Sequence, residues 1–314
     1  MKTLKINSEF AHELVLAIPY AYWLHTNNQL DTVITSKGMS PFYYFCDSVI
    51  ERFETRTIDN TAAGINELPN PWIHHNATVV VGKGYGELSE EQQNQVNGVL
   101  DYSQWIAPPY KNQYNDKQLI ENPYIVVNNN YNIEFGNPIE NAIRFFDIKA
   151  LYNIFNYLVE TGYTVIYKRP NNTEFPLDQN EQRTLAGNHS LTANVDGIGN
   201  LSDYDLCEHY SGKVINLNKL KEKYPEYSYN ELQLRIFANS SGFITPNGGG
   251  GLLCGYFDAP VVMHVPHGKE LRTNYLTNPD SYYQKLSNNT LHAVIDPDNE
   301  SNYKKVIDKI KEVF

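Results

Sequence analysis

The sequence predicts an α/β protein built from two halves, each with a mostly parallel sheet, and ended by a closing C-terminal helix. Short apolar segments rich in β-branched residues alternate with longer amphipathic segments along the chain, which is typical of parallel sheets covered by helices. The alternation is interrupted once, by a weakly patterned Pro- and Asn-rich stretch at residues 107–122. The 314 residues suffice for about two domains of ordinary size.

The interruption at residues 107–122 is interpreted as a linker between two Rossmann-like domains that face a cleft. We expect the first domain at residues 1–120 and the second at residues 121–300. Residues 301–314 are predicted to form a helix that packs back on the first domain.

The first half is predicted to contain strands at residues 2–6, 31–35 and 78–81. A helix follows the first strand, with a kink or restart at Pro19. The aromatic residues 42–45 are expected in the core. Ser89 begins another helix, with Gln92 in capping-box spacing, and this helix is predicted to run to about Trp105.

The second half is predicted to contain strands at residues 124–127, 163–167, 214–217, 243–245 and 260–265. Asp147 is suited to cap a helix that ends at Gly162. Ser228 is suited to cap a later helix, with Glu231 in capping-box spacing.

Composition excludes some classes of function. A net charge of −11 and an isoelectric point near 5.3 argue against nucleic-acid binding, which needs a basic face. The three cysteines are far apart and match neither a disulfide framework nor a zinc site. No apolar run has the length of a membrane span and the N-terminus lacks a signal-peptide pattern, so we expect no transmembrane segment and a cytoplasmic protein.

Four consecutive glycines, residues 248–251, lie between a predicted strand and a short helical run, within one βαβ unit. At such a turn the free N–H groups and the helix dipole attract anions, and the missing side chains let a phosphate approach the backbone. The motif is neither a P-loop nor the spaced dinucleotide-binding fingerprint. A tight turn without a ligand is the alternative interpretation.

Polar residues follow three predicted strands of the second half. They are Asn128 to Asn130, Lys168 with Arg169, and Asn247 before the glycines. Ligands of parallel α/β sheets lie at the carboxyl ends of the strands. These residues therefore favour an oxygen-rich anionic ligand in the cleft.

Residues 12–19 (His-Glu-Leu-Val-Leu-Ala-Ile-Pro) resemble the Gly-Asp-x-x-x-x-x-Pro motif that opens the first helix in the heptosyltransferase-like group of GT-B glycosyltransferases. Glu13 takes the place of the acid and His12 that of the glycine. Residues 144–146 (Arg-Phe-Phe) are similar to a Lys-Arg-Trp-like step of that group. The turn at residues 247–251 lies where the group has a Gly-Pro-x-His-type turn, although those residues are absent here.

The resemblance implies a GT-B-like fold and a glycosyltransferase. Such an enzyme moves a sugar from a nucleotide-sugar donor to a carbohydrate or glycan acceptor, with no metal or other cofactor and with inversion. It also implies Glu13 as the general base. His12 and His25 are rivals for that role, because histidine titrates near neutral pH. The implied donor-binding residues are Asn128, Asn130, Lys168, Arg169, Leu217, Asn247, Gly248, Gly249, Gly250 and His264, of which Leu217 would contact the nucleobase through its main chain.

Each assignment has a structural alternative. A carboxylate at the start of a helix, such as Glu13, also favours the helix dipole. Lys168 and Arg169 would form a solvated pair if their strand lay at an edge. His264 would be a core histidine. The acidic doublets at residues 203–205 and 296–298 resemble a metal-binding Asp-x-Asp motif only weakly.

Two other functions are compatible with the same pattern. A nucleotide-sugar epimerase would need several acid–base residues around the donor sugar and no acceptor groove. A nucleotide- or glycan-binding protein without catalysis would bind the donor but not turn it over.

Overall fold

The structure, a computed structural model, describes residues 1–54, 56, 65–66, 68–69, 84–130, 144–169, 191–271 and 274–314. The predicted strand at residues 78–81 lies outside these ranges. In the described residues of the first half, three parallel strands form a sheet in the order β1 (Lys2–Lys5), β2 (Leu30–Ser36) and β3 (Val49–Phe53).

The second half is built on a six-stranded parallel sheet. Its strands are β4 (Tyr124–Asn128), β5 (Thr164–Lys168), β8 (Val214–Asn216), β9 (Gly242–Pro246), β10 (Val261–Val265) and β11 (Leu291–Ile295). Their order is β11-β10-β9-β4-β5-β8, and an antiparallel pair, β6 (Thr192–Val195) with β7 (Gly199–Ser202), stands apart. The chain therefore reverses its direction across the sheet between β4 and β9, which is the position where doubly wound sheets bind ligands.

The helices alternate with these strands as predicted. The first helix, α1, is continuous through Phe10–His12, a π-helical turn at Glu13–Ala17, and Ile18–Thr26. The others are α2 (Glu90–Val96), α3 (Tyr110–Tyr114), α4 (Ile148–Glu160), α5 (Asp203–His209), α6 (Leu217–Lys223), α7 (Tyr229–Ala238), α8 (Gly249–Cys254), α9 (Tyr282–Leu286) and α10 (Lys304–Val313).

Several helix boundaries follow directly from the sequence. Asp147 accepts a hydrogen bond from Ala150 N at 2.7 Å, and Ser228 Oγ accepts one from Glu231 N at 3.1 Å. Pro19 lacks an N–H group and cannot pair with Val15 O. The indole of Trp105 donates to Val15 O instead, at 2.7 Å, so the irregular turn in α1 keeps its carbonyl satisfied.

Two apolar clusters cover the two faces of the six-stranded sheet. One lies under α4, α5 and α10, and contains Val127, Phe155 and Val306. The other, which we call the interdomain core, joins sheet residues such as Phe243 to first-half residues such as Phe42. The two halves therefore bury a common apolar surface.

Two predictions about the chain path need correction. Residues 107–122 connect the halves, but they contain α3, whose Tyr110 is fully buried and donates to Phe42 O at 2.8 Å, so part of this stretch packs in the core. The helix predicted to reach Trp105 ends at Val96, ahead of Gly98 with its positive φ of 71°. The sequence analysis also missed β3, β11 and the β6–β7 pair.

The C-terminal helix does not pack back on the first domain, and that prediction is wrong. Val306 and Ile310 of α10 are buried in the cluster of the second half, where the helix packs on β10, β11 and α4. The ring of Phe314 then covers Gly242, since a Cβ at Gly242 would lie 2.3 Å from it.

The shared core predicts that both halves unfold together. All three tryptophans, residues 23, 72 and 105, lie in the first half, so their fluorescence reports on that half, whereas far-ultraviolet circular dichroism reports on both. We expect the two urea transitions to coincide. Tyr110→Ala should shift both together by about 3–5 kcal/mol, the usual cost of an aromatic cavity. Tyr85→Ala, at a side chain that is 47% exposed, is the control. Separate transitions would contradict a shared core.

Candidate active site

A chain of hydrogen bonds crosses three neighbouring strands at the carboxyl edge of the six-stranded sheet. Lys168 Nζ, at the end of β5, donates to Asn128 Oδ1 at 2.9 Å. Asn128 Nδ2, at the end of β4, donates to Thr245 Oγ1 on β9 at 2.9 Å. Thr245 in turn donates to Pro246 O at 2.9 Å. This chain spans the point where the strand order reverses.

Lys168 is a buried cation that forms no ion pair with any carboxylate in the described part of the chain. Its side chain is 4% exposed, and its ammonium lies 5.8 Å from the centre of the Phe237 ring. Burial lowers the pKa of Lys168 to about 8. Within the described ranges, no carboxylate forms an ion pair with it. Among the described residues, the ammonium donates a hydrogen bond only to Asn128, so two of its N–H groups are suited to bind an anionic ligand.

The glycine turn lies against both this chain and the first half. Gly248 has a φ of 128°, which side chains rarely tolerate. A Cβ at Gly249 would lie 3.2 Å from Phe10 in α1, and a Cβ at Gly250 would lie 2.5 Å from Asn128 Nδ2. The glycines are therefore required by close packing, and the turn places its backbone between α1 and Asn128.

Arg169 forms a buried ion pair with a carboxylate of the protein itself. Its guanidinium makes a bidentate contact with Asp203, with Nε–Oδ2 at 2.6 Å and Nη2–Oδ1 at 3.1 Å. Tyr167 also donates to Asp203 Oδ2, at 2.7 Å. The structure therefore favours Lys168 over Arg169 as the cation for a ligand phosphate, and it gives Arg169 a structural role.

His264 is a core residue in the structure. It is fully buried between the rings of Phe146 and Tyr303, whose centres lie 5.8 and 5.3 Å away. Burial lowers its pKa to about 4, so the imidazole is neutral near pH 7. Asp296 Oδ2 lies 3.7 Å from Nε2, beyond hydrogen-bond distance. This placement does not fit the predicted contact with a donor.

The remaining predicted donor residues lie around the strand ends. Asn247 is fully buried, donates to His267 O at 2.8 Å, and its Oδ1 has no partner among the described residues. Asn130 lies beside Gly248, since a Cβ there would be 3.9 Å from Asn130 Nδ2. Leu217 begins α6 directly after β8 and buries its side chain, so only its main chain is free for a nucleobase.

Glu13 lies in a closed polar pocket of the first half. One carboxylate oxygen accepts hydrogen bonds from Thr35 at 2.7 Å and from Tyr43 at 2.8 Å. The other is paired with Arg56, whose side chain is also buried. With no exposed surface and three donors, this carboxylate is suited to hold Arg56 in place. The structure does not test the predicted base role of Glu13.

The sequence analysis missed a carboxylate at the cleft. Glu9 stands just before α1, its side chain is 30% exposed, and its Oε2 lies 3.9 Å from Nδ1 of the predicted rival base His12. Lys269 and Glu270, from the turn after β10, contribute charge near it. This group lies where α1 meets the glycine turn.

The acidic doublets have other partners. Asp203 pairs with Arg169, and Asp205 forms a capping box with Ser202. Asp296 accepts hydrogen bonds from Ser301 and Lys305. Among the described residues, no group of three or more His, Cys, Asp or Glu side chains has the arrangement of a metal site. In those same residues, no helix is both long and apolar enough to cross a bilayer.

Comparisons with known proteins address the fold. No family model and no curated protein sequence matches the chain. Among solved structures, the ADP-heptose LPS heptosyltransferase II of Escherichia coli is similar, with a TM-score of 0.51, 13% identity, and coverage of 100% of this chain and 98% of that one. A family 9 glycosyltransferase from Veillonella parvula has a TM-score of 0.46, with 11% identity and coverage of 97% and 93%.

TibC from enterotoxigenic Escherichia coli, an iron-containing dodecameric glycosyltransferase, has a TM-score of 0.40, with 12% identity and coverage of 98% and 74%. The likeness to heptosyltransferase II extends over the whole chain and confirms the predicted fold class, an α/β fold of the GT-B type with two Rossmann-like halves facing a cleft. The other two structures have TM-scores below 0.5, and no conclusion is drawn from them.

Substitution of Glu13 by Gln tests its structural role. Gln keeps the size of the side chain but removes the buried carboxylate that is paired with Arg56, and we expect a loss of about 3–5 kcal/mol in the free energy of unfolding. Glu54→Gln is the matched control because the Glu54–Lys37 pair is exposed. Urea denaturation measures both. Equal midpoints for the two variants would contradict a structural ion pair at Glu13.

Proposed function

We propose that the protein is a glycosyltransferase that moves a sugar from a nucleotide-sugar donor to a carbohydrate or glycan acceptor. The observation that carries the proposal is Lys168, a buried lysine without a carboxylate partner in the described residues, placed where the strand order of a GT-B-type fold reverses. An unpaired buried cation costs folding free energy, and binding an anion would offset that cost.

The donor diphosphate would lie against the glycine turn. Main-chain N–H groups of Gly248, Gly249 and Gly250 would face its oxygens, with the ammonium of Lys168 behind them. The amide side chains of Asn130 and Asn247 border the same turn. The departure of the diphosphate from the sugar requires positive charge beside the phosphate, because negative charge develops on the phosphate in the transition state.

The proposed reaction is a direct displacement with inversion. The acceptor oxygen attacks the anomeric carbon while the bond to the diphosphate breaks, and the leaving electron pair stays on the phosphate. Lys168 and the backbone N–H groups would supply the stabilisation that a divalent metal supplies in other transferases, so we propose transfer without a metal. The nucleobase would contact the main chain near Leu217, at the start of α6.

A thermal-shift screen tests this function. The protein would be heated with UDP, GDP, CMP, ADP and dTDP and their sugars, in EDTA and in Mn²⁺. Saturation at a hundred times the dissociation constant stabilises the fold by about 2.7 kcal/mol. We expect a shift with one nucleotide class that EDTA leaves unchanged. A shift only with Mn²⁺ would overturn metal independence, and no shift with any nucleotide would overturn the donor site.

Donor affinity should depend on pH and on Lys168. The ammonium, with a pKa of about 8, loses its proton as the pH rises, so affinity should fall between about pH 7 and pH 9. Lys168→Met should weaken binding about 10- to 100-fold, equivalent to the ~1.5–3 kcal/mol of a charge-assisted hydrogen bond, and remove the pH dependence. Lys37→Met, at an exposed lysine, is the control. Unchanged affinity in Lys168→Met would contradict the assignment.

A further inference from the structure

Charged groups from both halves of the molecule converge on Glu9. The first half contributes His12 of α1 and Arg56 after β3, and the second half contributes Arg144 before α4 with Lys269 and Glu270 after β10. We call these six residues the cleft cluster. Its residues follow strands of both halves, with Glu9 after β1 and Lys269 and Glu270 after β10.

Glu9 is adjacent to the glycine turn through its neighbours in the chain. A Cβ at Gly249 would lie 3.2 Å from Phe10 Cδ1 and 3.6 Å from Ala11 N. The residue next to Glu9 therefore touches the turn proposed to hold the diphosphate. A carboxylate at this position would lie near a donor whose diphosphate is bound at that turn.

Glu9 and Glu13 differ in the way that matters for proton transfer. Both oxygens of Glu13 accept hydrogen bonds, and the side chain has no exposed surface. The side chain of Glu9 is 30% exposed, and within the described part of the chain no donor lies within hydrogen-bond distance of its carboxylate. A general base needs an accessible lone pair within reach of the substrate hydroxyl.

We propose that Glu9, rather than Glu13, is the general base of the sugar transfer. The acceptor hydroxyl gives its proton to a Glu9 oxygen as its own oxygen forms the bond to the anomeric carbon. The bond from that carbon to the diphosphate breaks, and its electron pair leaves with the nucleoside diphosphate. Glu13 is then a positioning residue, which holds Arg56 at the edge of the cleft cluster.

The electrostatics of the cluster support this role. Burial raises the pKa of Glu9 above its ordinary value of 4.5, and Glu270 acts in the same direction, whereas Lys269, Arg144 and Arg56 oppose it. A carboxylate with a raised pKa is a stronger base for the proton of the acceptor hydroxyl. The rate should therefore fall as the pH is lowered through the raised pKa, because the base becomes protonated.

The assignment rests on the proposed function, and the experiment separates the two. Glu9→Gln removes the base at constant size, and Glu54→Gln is the exposed control. For wild type and both variants, three quantities are measured: the thermal midpoint, its shift with the donor found in the screen, and the transfer rate from pH 4.5 to 8. We expect Glu9→Gln to keep the midpoint and the donor shift but to lose at least about 100-fold in rate. In Glu9→Gln, the decrease of the transfer rate at low pH, which we call the acidic limb of the rate profile, should also disappear.

Each of the other outcomes overturns a specific statement. If Glu9→Gln retains the wild-type rate and acidic limb, Glu9 is not the base, whereas the transferase stands. If Glu9→Gln loses stability as Glu13→Gln does, Glu9 has a structural role and the assignment is wrong. If the wild type shows neither donor shift nor transfer, the proposed function fails and the assignment of Glu9 fails with it.

Discussion

The reversal of strand order between β4 and β9 determines where this molecule can act. On either side of that point the chain leaves the sheet in opposite directions, and doubly wound sheets bind their ligands in the crevice that this creates. The ends of β4 and β9 supply Asn128 and Asn247, and the neighbouring β5 supplies Lys168. The glycine turn after β9 closes over them because its missing side chains let α1 approach from the first half.

Buried charged side chains near the cleft are of two kinds. Glu13 is paired with Arg56 in the first half and Arg169 with Asp203 in the second, and the carboxylate of each pair accepts a further hydrogen bond from a tyrosine hydroxyl. Removal of one member of such a pair is costly. Lys168, by contrast, donates among the described residues only to an amide oxygen, and this makes it the group suited to a ligand.

Local features of the fold could be predicted from the sequence. The caps at Asp147 and Ser228 and the strands β4, β5, β8, β9 and β10 follow from short-range patterns, and the structure contains them. The packing side of the C-terminal helix could not be predicted, because an amphipathic helix fits any apolar face. Phe314 covers Gly242, a contact across 72 residues that no local pattern shows.

The candidate site could be predicted only in part, for the same reason. The glycines, Asn128 and Lys168 follow from the rule that ligands lie at strand ends. Partners distant in sequence could not be found this way: Arg56 is 43 residues from Glu13, and Asp203 is 34 residues from Arg169. Applied to β1, the same rule would have drawn attention to Glu9, which follows that strand after a short loop.

We propose that the cleft holds a nucleoside diphosphate between the glycine turn and Lys168. A crystal structure of the protein with the nucleoside diphosphate selected by binding tests this proposal. We expect the diphosphate beside Lys168 Nζ and the main-chain N–H groups of Gly248 to Gly250, with its free end towards Glu9. A nucleotide bound elsewhere, or one that leaves Lys168 with Asn128 alone, would contradict it.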